Sequence, residues 1–297
     1  MPPRIAIPMP HSIDREYAAR AIPQYEHAVE LAGGEPVRIP LDQTPSEIMK
    51  IIERCDGVLL PGSKADVEPS KFGAPRSPHT AIADPGRDTV DELLLQDAYN
   101  MRKPVLGICY GLQTLNVYRT GSLIQHIPDF LPEDLHARVD HEAGKKVAVA
   151  HAVEIERESK LAAIVQSAES RSANETWEGR SPNETREGHD FSRAVKTRER
   201  KWASAPEGSK LILPVNSSHH QSAAEIGDGL RISARCTDDG IIEALEGTAP
   251  DHFILAVQWH PERSIDQDEP SRAIFRALVK AAEVRHKQLA DEFEGVK

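Results

Sequence analysis

The sequence predicts an α/β fold: a doubly wound, mostly parallel sheet with an added antiparallel strand region. Two observations carry this. Short apolar runs rich in Ile and Val alternate with longer amphipathic stretches, the pattern of parallel strands joined by crossover helices. Toward the C-terminus, several such runs follow one another with only turns between them, as antiparallel strands do. The 297 residues are read as one domain, 1–297, with an insertion over 166–209.

In order along the chain, "RIAIPM" reads as a strand, Glu16 to Ala32 as a helix closed by Gly33 and Gly34, "PVRIPL" as a second strand and Pro45 to Cys55 as a second helix. "GVLLPG" is a third strand ending in Gly62, and a loop rich in Pro, Ser and Gly leads to a helix from Asp88 to Met101. The strand "PVLGI" and a helix from Tyr110 complete four strand-then-turn units, whose ligands are expected outside the carboxyl ends of the strands. "HAVEIE" is a further strand, followed by a short helix around Lys160 to Val165. From about Gln166 to Ser209 apolar periodicity is weak and Glu, Arg and Ser abound. That segment is read as exposed, with disorder favoured over a fold that narrows the site entrance; Trp177, Phe191 and Trp202 are its candidate anchors. "LILPVN", "LRISARC", "IIEALE" and "FILAVQW" are strands, the middle pair joined by "TDDG", and a helix runs from about Glu269 to Phe293.

Composition narrows the function. Lys and Arg number 36 against 47 Asp and Glu, a net charge of −11 with no basic cluster, which argues against nucleic acid. The N-terminus has no apolar run long enough for a signal peptide, and no 18 apolar residues are consecutive, so a cytoplasmic protein away from membranes is expected. Cys55, Cys109 and Cys236 are far apart, without a C-x-x-C pair, which speaks against disulfides and zinc. Asn174, Asn183 and Asn216 each begin an N-x-S/T triplet, read as chance matches at surface positions. His126, His136, His141 and His151 lack the i, i+4 spacing of a helical ligand pair, so no metal and no cofactor are expected.

The chemistry concentrates in two stretches. In "PVLGICYGLQ", Cys109 sits between two glycines where a strand turns into a helix, the cysteine counterpart of a nucleophile elbow. Gly107 and Gly111 permit the tight turn, and the helix start favours a thiolate. The N–H of Tyr110 then points toward an oxyanion on the attacked carbonyl, and Gly62 is the candidate second donor. In "AVQWHPERS", His260 and Glu262 lie two residues apart after an apolar strand. An extended segment places both side chains on one side, with Pro261 stiffening it. Cys109 is thus the candidate nucleophile, His260 the general base and then acid, and Glu262 the group that orients the imidazole.

"PVLGICYGLQTLNV", "VNSSHHQS" and "AVQWHPERS" resemble the three signature segments of class I glutamine amidotransferase domains. "LPGSKADVEPSKFG" narrows the resemblance to the γ-glutamyl-γ-aminobutyrate hydrolase branch, the peptidase C26 family. The resemblance implies a flavodoxin-like sheet, a Cys-His-Glu triad on Cys109, His260 and Glu262, and hydrolysis of a small-molecule γ-glutamyl amide. It implies further that Gln113 helps hold the glutamyl group, that Ser217 and His219 belong to a substrate-side loop, that the loop of Asp66, Pro69 and Gly73 folds over the site, and that the chain forms a homodimer.

Two rival readings stay open on the sequence. The same triad serves a glutaminase that passes ammonia to a separate partner synthetase, and the fold also suits a non-catalytic binding protein. γ-Aminobutyrate, a polyamine-derived group, an amino acid and ammonia all fit as the leaving amine.

Overall fold

The computed structural model describes residues 1–136, 139–168 and 210–294. The strands are β1 (Arg4–Pro8), β2 (Glu35–Ile39), β3 (Gly57–Leu60), β4 (Val105–Ile108), β5 (Leu123–Ile124), β6 (His151–Ile155), β7 (Leu211–Val215), β8 (Ser222–Ala223), β9 (Leu230–Cys236), β10 (Ile242–Gly247) and β11 (Ile254–Val257). The helices are α1 (Arg15–Leu31), α2 (Pro45–Ile52), α3 (Pro85–Met101), α4 (Tyr110–Tyr118), two single turns α5 (Ile127–Phe130) and α6 (Glu133–His136), α7 (160–168) and α8 (Glu269–Glu294).

Among the described residues one sheet runs β2-β1-β3-β4-β11-β10-β9-β6-β7, and β5 pairs with β8 beside it. Its first five strands are parallel, in the order of a flavodoxin-like sheet, and the remaining pairings are antiparallel. Both faces are covered, so the central parallel strands β3, β4 and β11 are apolar throughout, and the parallel strands divide their apolar side chains by alternation. Ile5, Ile7, Leu59, Leu106, Ile108, Leu255 and Val257 join a core with α1, α7 and α8. Ala6, Val58, Leu60, Val105, Ile254 and Ala256 join a second core with α2, α3 and α4.

Local signals explain the helix ends. Asp14 caps α1 by accepting from the Tyr17 N–H at 2.9 Å, and Gly33 ends it at φ 87°. Thr44 and Glu47 form a capping box at α2, with Pro45 in the first turn. α3 begins at Pro85, three residues before the sequence reading puts it. Asp84 caps the Arg87 N–H, and Pro85, within the segment read as a loop rich in Pro, Ser and Gly, starts the helix with a fixed φ. The insertion expected over 166–209, with Trp177, Phe191 and Trp202, lies outside the described residues from 169 onward, as do Asn174 and Asn183.

Candidate active site

The carboxyl ends of β3, β4 and β11 converge, and each delivers one part of the site. Cys109, between β4 and α4, has φ 53° and ψ −106°, a conformation rare for a residue with a Cβ, and is 6% exposed. Its N–H donates to the Val257 carbonyl at 2.8 Å while its own carbonyl accepts from Leu112 at 3.0 Å, so strand ladder and helix meet within one residue. The glycines make this turn feasible: a Cβ on Gly111 would lie 2.2 Å from the Leu60 carbonyl oxygen, and one on Gly107 would lie 2.8 Å from the Gly111 oxygen.

His260 follows β11, and its Nδ1 lies 2.8 Å from Glu262 Oε1. The carboxylate reaches the imidazole through a single 3-10 turn, Pro261–Arg263, and not through the extended segment expected from the sequence. Proline at the first helical position favours that turn. Burial works against an imidazolium here, but the Glu262 carboxylate and the hydrogen-bonded Cys109 side chain outweigh it and push His260 up to about 9. Burial likewise opposes ionised Glu262, yet His260 and then Arg263 hold its carboxyl below the ordinary range. The three side chains therefore form one buried, charge-coupled group.

Gly62 packs against that group. A Cβ there would lie 3.0 Å from His260 Cε1, 3.1 Å from Tyr25 Oη and 3.6 Å from Cys109 Cβ. Its N–H, the expected second oxyanion donor, is engaged: it donates to the buried Tyr25 hydroxyl at 3.1 Å. The other end of the same peptide is held too, because Arg87 Nη2 donates to the Pro61 carbonyl at 2.8 Å. Arg87 is fully buried, with its charge met by Asp91 Oδ1 at 2.7 Å. The Pro61–Gly62 peptide is thus hydrogen-bonded at both ends beside Cys109.

The Peptidase C26 family profile matches residues 7–176 and 165–262. The chain belongs to the Peptidase C26 family. It is similar to the glutamine amidotransferase-like protein RP404 of Rickettsia prowazekii (strain Madrid E), with 31% identity across 90% of this chain and 89% of that protein. It is also similar to the γ-glutamyl-γ-aminobutyrate hydrolase PuuD of Escherichia coli (strain K12), with 30% identity across 88% of this chain and 85% of the other. Among solved structures it shares the fold of the glutaminase domain of Trypanosoma brucei CTPS with bound acivicin (TM-score 0.51, 16% identity, 94% of each chain). The chain is accordingly a hydrolase of glutamine amidotransferase-like type. No helix among the described residues is long and apolar enough to cross a membrane.

Other expected positions fall differently in this C26 chain. Gln113, on the first turn of α4, is buried and donates to the Gln221 carbonyl at 3.2 Å, under the loop that joins β7 to β8. Ser217 in that loop is fully buried, and its carbonyl accepts from the Gly144 N–H at 2.7 Å. His219 is buried, with its ring turned toward Glu243. Its Nδ1 lies 2.9 Å from the Gln221 carbonyl oxygen and its Nε2 3.4 Å from Glu243 Oε1, because a buried carboxylate there draws imidazoles inward. His220 faces outward instead, 3.2 Å from Asp66 Oδ1, and so ties this loop to the one after β3.

Two residues carry weight that sequence reasoning missed. Asn216, read as a chance surface triplet, is buried; its Oδ1 accepts from the His260 N–H and its Nδ2 donates to the His260 carbonyl, both at 2.9 Å. Tyr25 comes from α1, where it reads only as one apolar-face residue among several. The signal for Asn216 lies in "VNSSHHQS", where it directly precedes Ser217.

Proposed function

We propose that this hydrolase cleaves γ-glutamyl amides, of the γ-glutamyl-γ-aminobutyrate kind, through a γ-glutamyl thioester on Cys109. The observation that carries the reading is the strained Cys109 turn set against a buried His260 already paired with Glu262. His260 takes the proton of the Cys109 thiol, the thiolate attacks the side-chain amide carbon, a C–S bond forms, and the carbonyl electrons move to oxygen. The Tyr110 N–H, which has no intrahelical partner at the first helical position, serves as oxyanion donor. The Gly62 N–H is the second donor, and turning it to the oxyanion requires it to leave Tyr25.

Collapse of the tetrahedral intermediate breaks the C–N bond, and the proton held on His260 goes to the departing amine. His260, now neutral, takes a proton from water. The resulting hydroxide attacks the thioester, sulfur leaves as thiolate, and glutamate is released. Glu262 stabilises the imidazolium that forms twice in the cycle. A raised affinity for the His260 proton suits a leaving amine, which departs only when protonated.

The test is glutamate release from a panel of γ-glutamyl amides that includes glutamine and γ-glutamyl-γ-aminobutyrate, with Cys109→Ala as control. One extended amide cleaved well above glutamine supports the reading and names the leaving amine. Release from glutamine alone supports the ammonia-donating alternative, and no release from any of them returns the chain to a binding role.

A further inference from the structure

Away from Cys109, four side chains from four segments aim at one point. His141 stands in the loop before β6, His151 at the start of β6, His219 in the loop between β7 and β8, and Glu243 within β10. All four are buried, and their ligand atoms lie within 4.8 Å of one another. Glu243 Oε1 is 3.1 Å from His141 Nδ1, 3.3 Å from His151 Nε2 and 3.4 Å from His219 Nε2. These three ring nitrogens and both Glu243 oxygens have no hydrogen-bond partner of acceptable geometry. Five buried polar atoms gathered without partners would be costly for a fold to keep, unless something else joins them.

We propose that His141, His151, His219 and Glu243 bind a single divalent transition-metal ion of the zinc class. The spacing fits: ligands about 2.0–2.1 Å from a tetrahedral ion sit about 3.3 Å from each other, as the imidazoles do from the carboxylate here. The opposite ring nitrogens are oriented as metal-bound histidines require. His141 Nε2 is 2.7 Å from Asp239 Oδ2, and Asp239 is itself fixed by the Ile241 N–H donating at 3.0 Å. His219 Nδ1 faces the Gln221 carbonyl oxygen at 2.9 Å and His151 Nδ1 the Ala152 carbonyl oxygen at 3.3 Å. Three neutral imidazoles, Glu243, Asp239 and a divalent cation sum to zero charge, the balance a buried site needs. Nitrogen-rich ligation with one carboxylate selects zinc-like ions over calcium or magnesium.

His141 and His219 also line a cavity of about 230 Å³ with Ile127, Pro128, Leu131 and Val139, the side from which an ion would enter. The ion would pin two loops to the sheet. They are already stitched together, the His219 N–H donating to the His141 carbonyl at 2.9 Å, and the second loop begins at Asn216, which holds the His260 backbone. The metal is therefore a structural clamp behind the proposed nucleophile's base, and no step of the reaction passes through it. Spacing along the sequence could not show it, because the ligands come from four separate segments.

The experiment takes the untagged full chain, strips it with a chelator, confirms by circular dichroism that it is folded, and titrates it with zinc(II) and cobalt(II). About one ion per chain is expected, with the intense visible d–d absorption of four-coordinate cobalt, unchanged in Cys109→Ala. Glu243→Gln should abolish that spectrum. Asp239→Asn, which keeps all four ligands and so is the safer variant for folding, should weaken metal affinity about 10–100-fold. No stoichiometric uptake by the folded chain would overturn the proposal and make the cluster a proton-held network. Affinity unchanged in folded Asp239→Asn, or a spectrum lost in Cys109→Ala, would overturn it as well, the latter by moving the ion to Cys109.

Discussion

Asn216 and His260, 44 residues apart in sequence, grip each other through two reciprocal hydrogen bonds of 2.9 Å: the side-chain amide of one closes on the backbone N–H and C=O of the other. The imidazole's ring is oriented by Glu262, but the position of its backbone is set by this pairing, from a loop outside the parallel strands.

Replacing Asn216 by Ala leaves the buried His260 N–H unpaired, a cost of about 1–3 kcal/mol before relaxation, and leaves the His260 carbonyl with the Arg263 N–H alone, at 3.1 Å. We expect kcat to fall by about 10–100-fold with KM little changed. Asn216→Asp, which keeps the acceptor and loses the donor, should fall between wild type and Asn216→Ala. Steady-state kinetics beside a thermal melt checks this; a lowered Tm with unaltered kcat would make Asn216 a purely structural residue.

Gly62 leaves little room for a side chain. An added methyl would meet His260 Cε1 at 3.0 Å and Tyr25 Oη at 3.1 Å, so Gly62→Ala must displace either the proposed base or the Tyr25 clamp. Activity is expected to drop by about 100-fold or more, the scale of a lost oxyanion donor, while the chain stays folded. Near-wild-type turnover in this variant would remove Gly62 from the oxyanion reading.

The Cys109 backbone at φ 53° carries strain that glycine would relieve. Cys109→Gly should be as inactive as Cys109→Ala yet more stable than it by about 1 kcal/mol. Paired denaturant melts measure the difference, and equal stability would show that the elbow is unstrained.

The fold around these residues is legible from the sequence where one physical demand acts on neighbouring positions. The glycines flanking Cys109 and the apolar runs of β3, β4 and β11 belong to that class, since close approach and burial on both faces leave local marks. Tyr25, Arg87 and Asn216 do not: each acts on the backbone of a segment distant in sequence. The inward turn of His219 is hidden for a related reason. Its neighbours in "SSHH" suggest a polar loop, while the Glu243 that turns it inward reads as one polar position in "IIEALE".

The ionisation of the His260–Glu262 pair makes stability depend on pH at both ends of its range. His260 is raised, so its contribution to stability is complete below the ordinary imidazole value of 6.5 and is lost as pH rises through about 9. Glu262 is lowered, so its contribution is present above 4.5 and is lost as pH falls through the depressed value. Glu262→Gln should therefore cost the most stability between 4.5 and 6.5 and progressively less toward pH 9 and beyond. In kinetics, the alkaline limb of kcat/KM, set by loss of the His260 proton, should lie near 9 in the wild type and shift to lower pH in Glu262→Gln. A limb that does not move would uncouple the carboxylate from the imidazole.

The most direct test of the proposed reaction is mass spectrometry of the enzyme quenched in acid during turnover of a γ-glutamyl amide, with peptide mapping of the adduct. A γ-glutamyl group on the peptide that contains Cys109, absent from Cys109→Ala and decaying at the rate of glutamate release, is the predicted result. Glutamate release at comparable rate by Cys109→Ala, or an adduct mapped to another residue, would contradict the account.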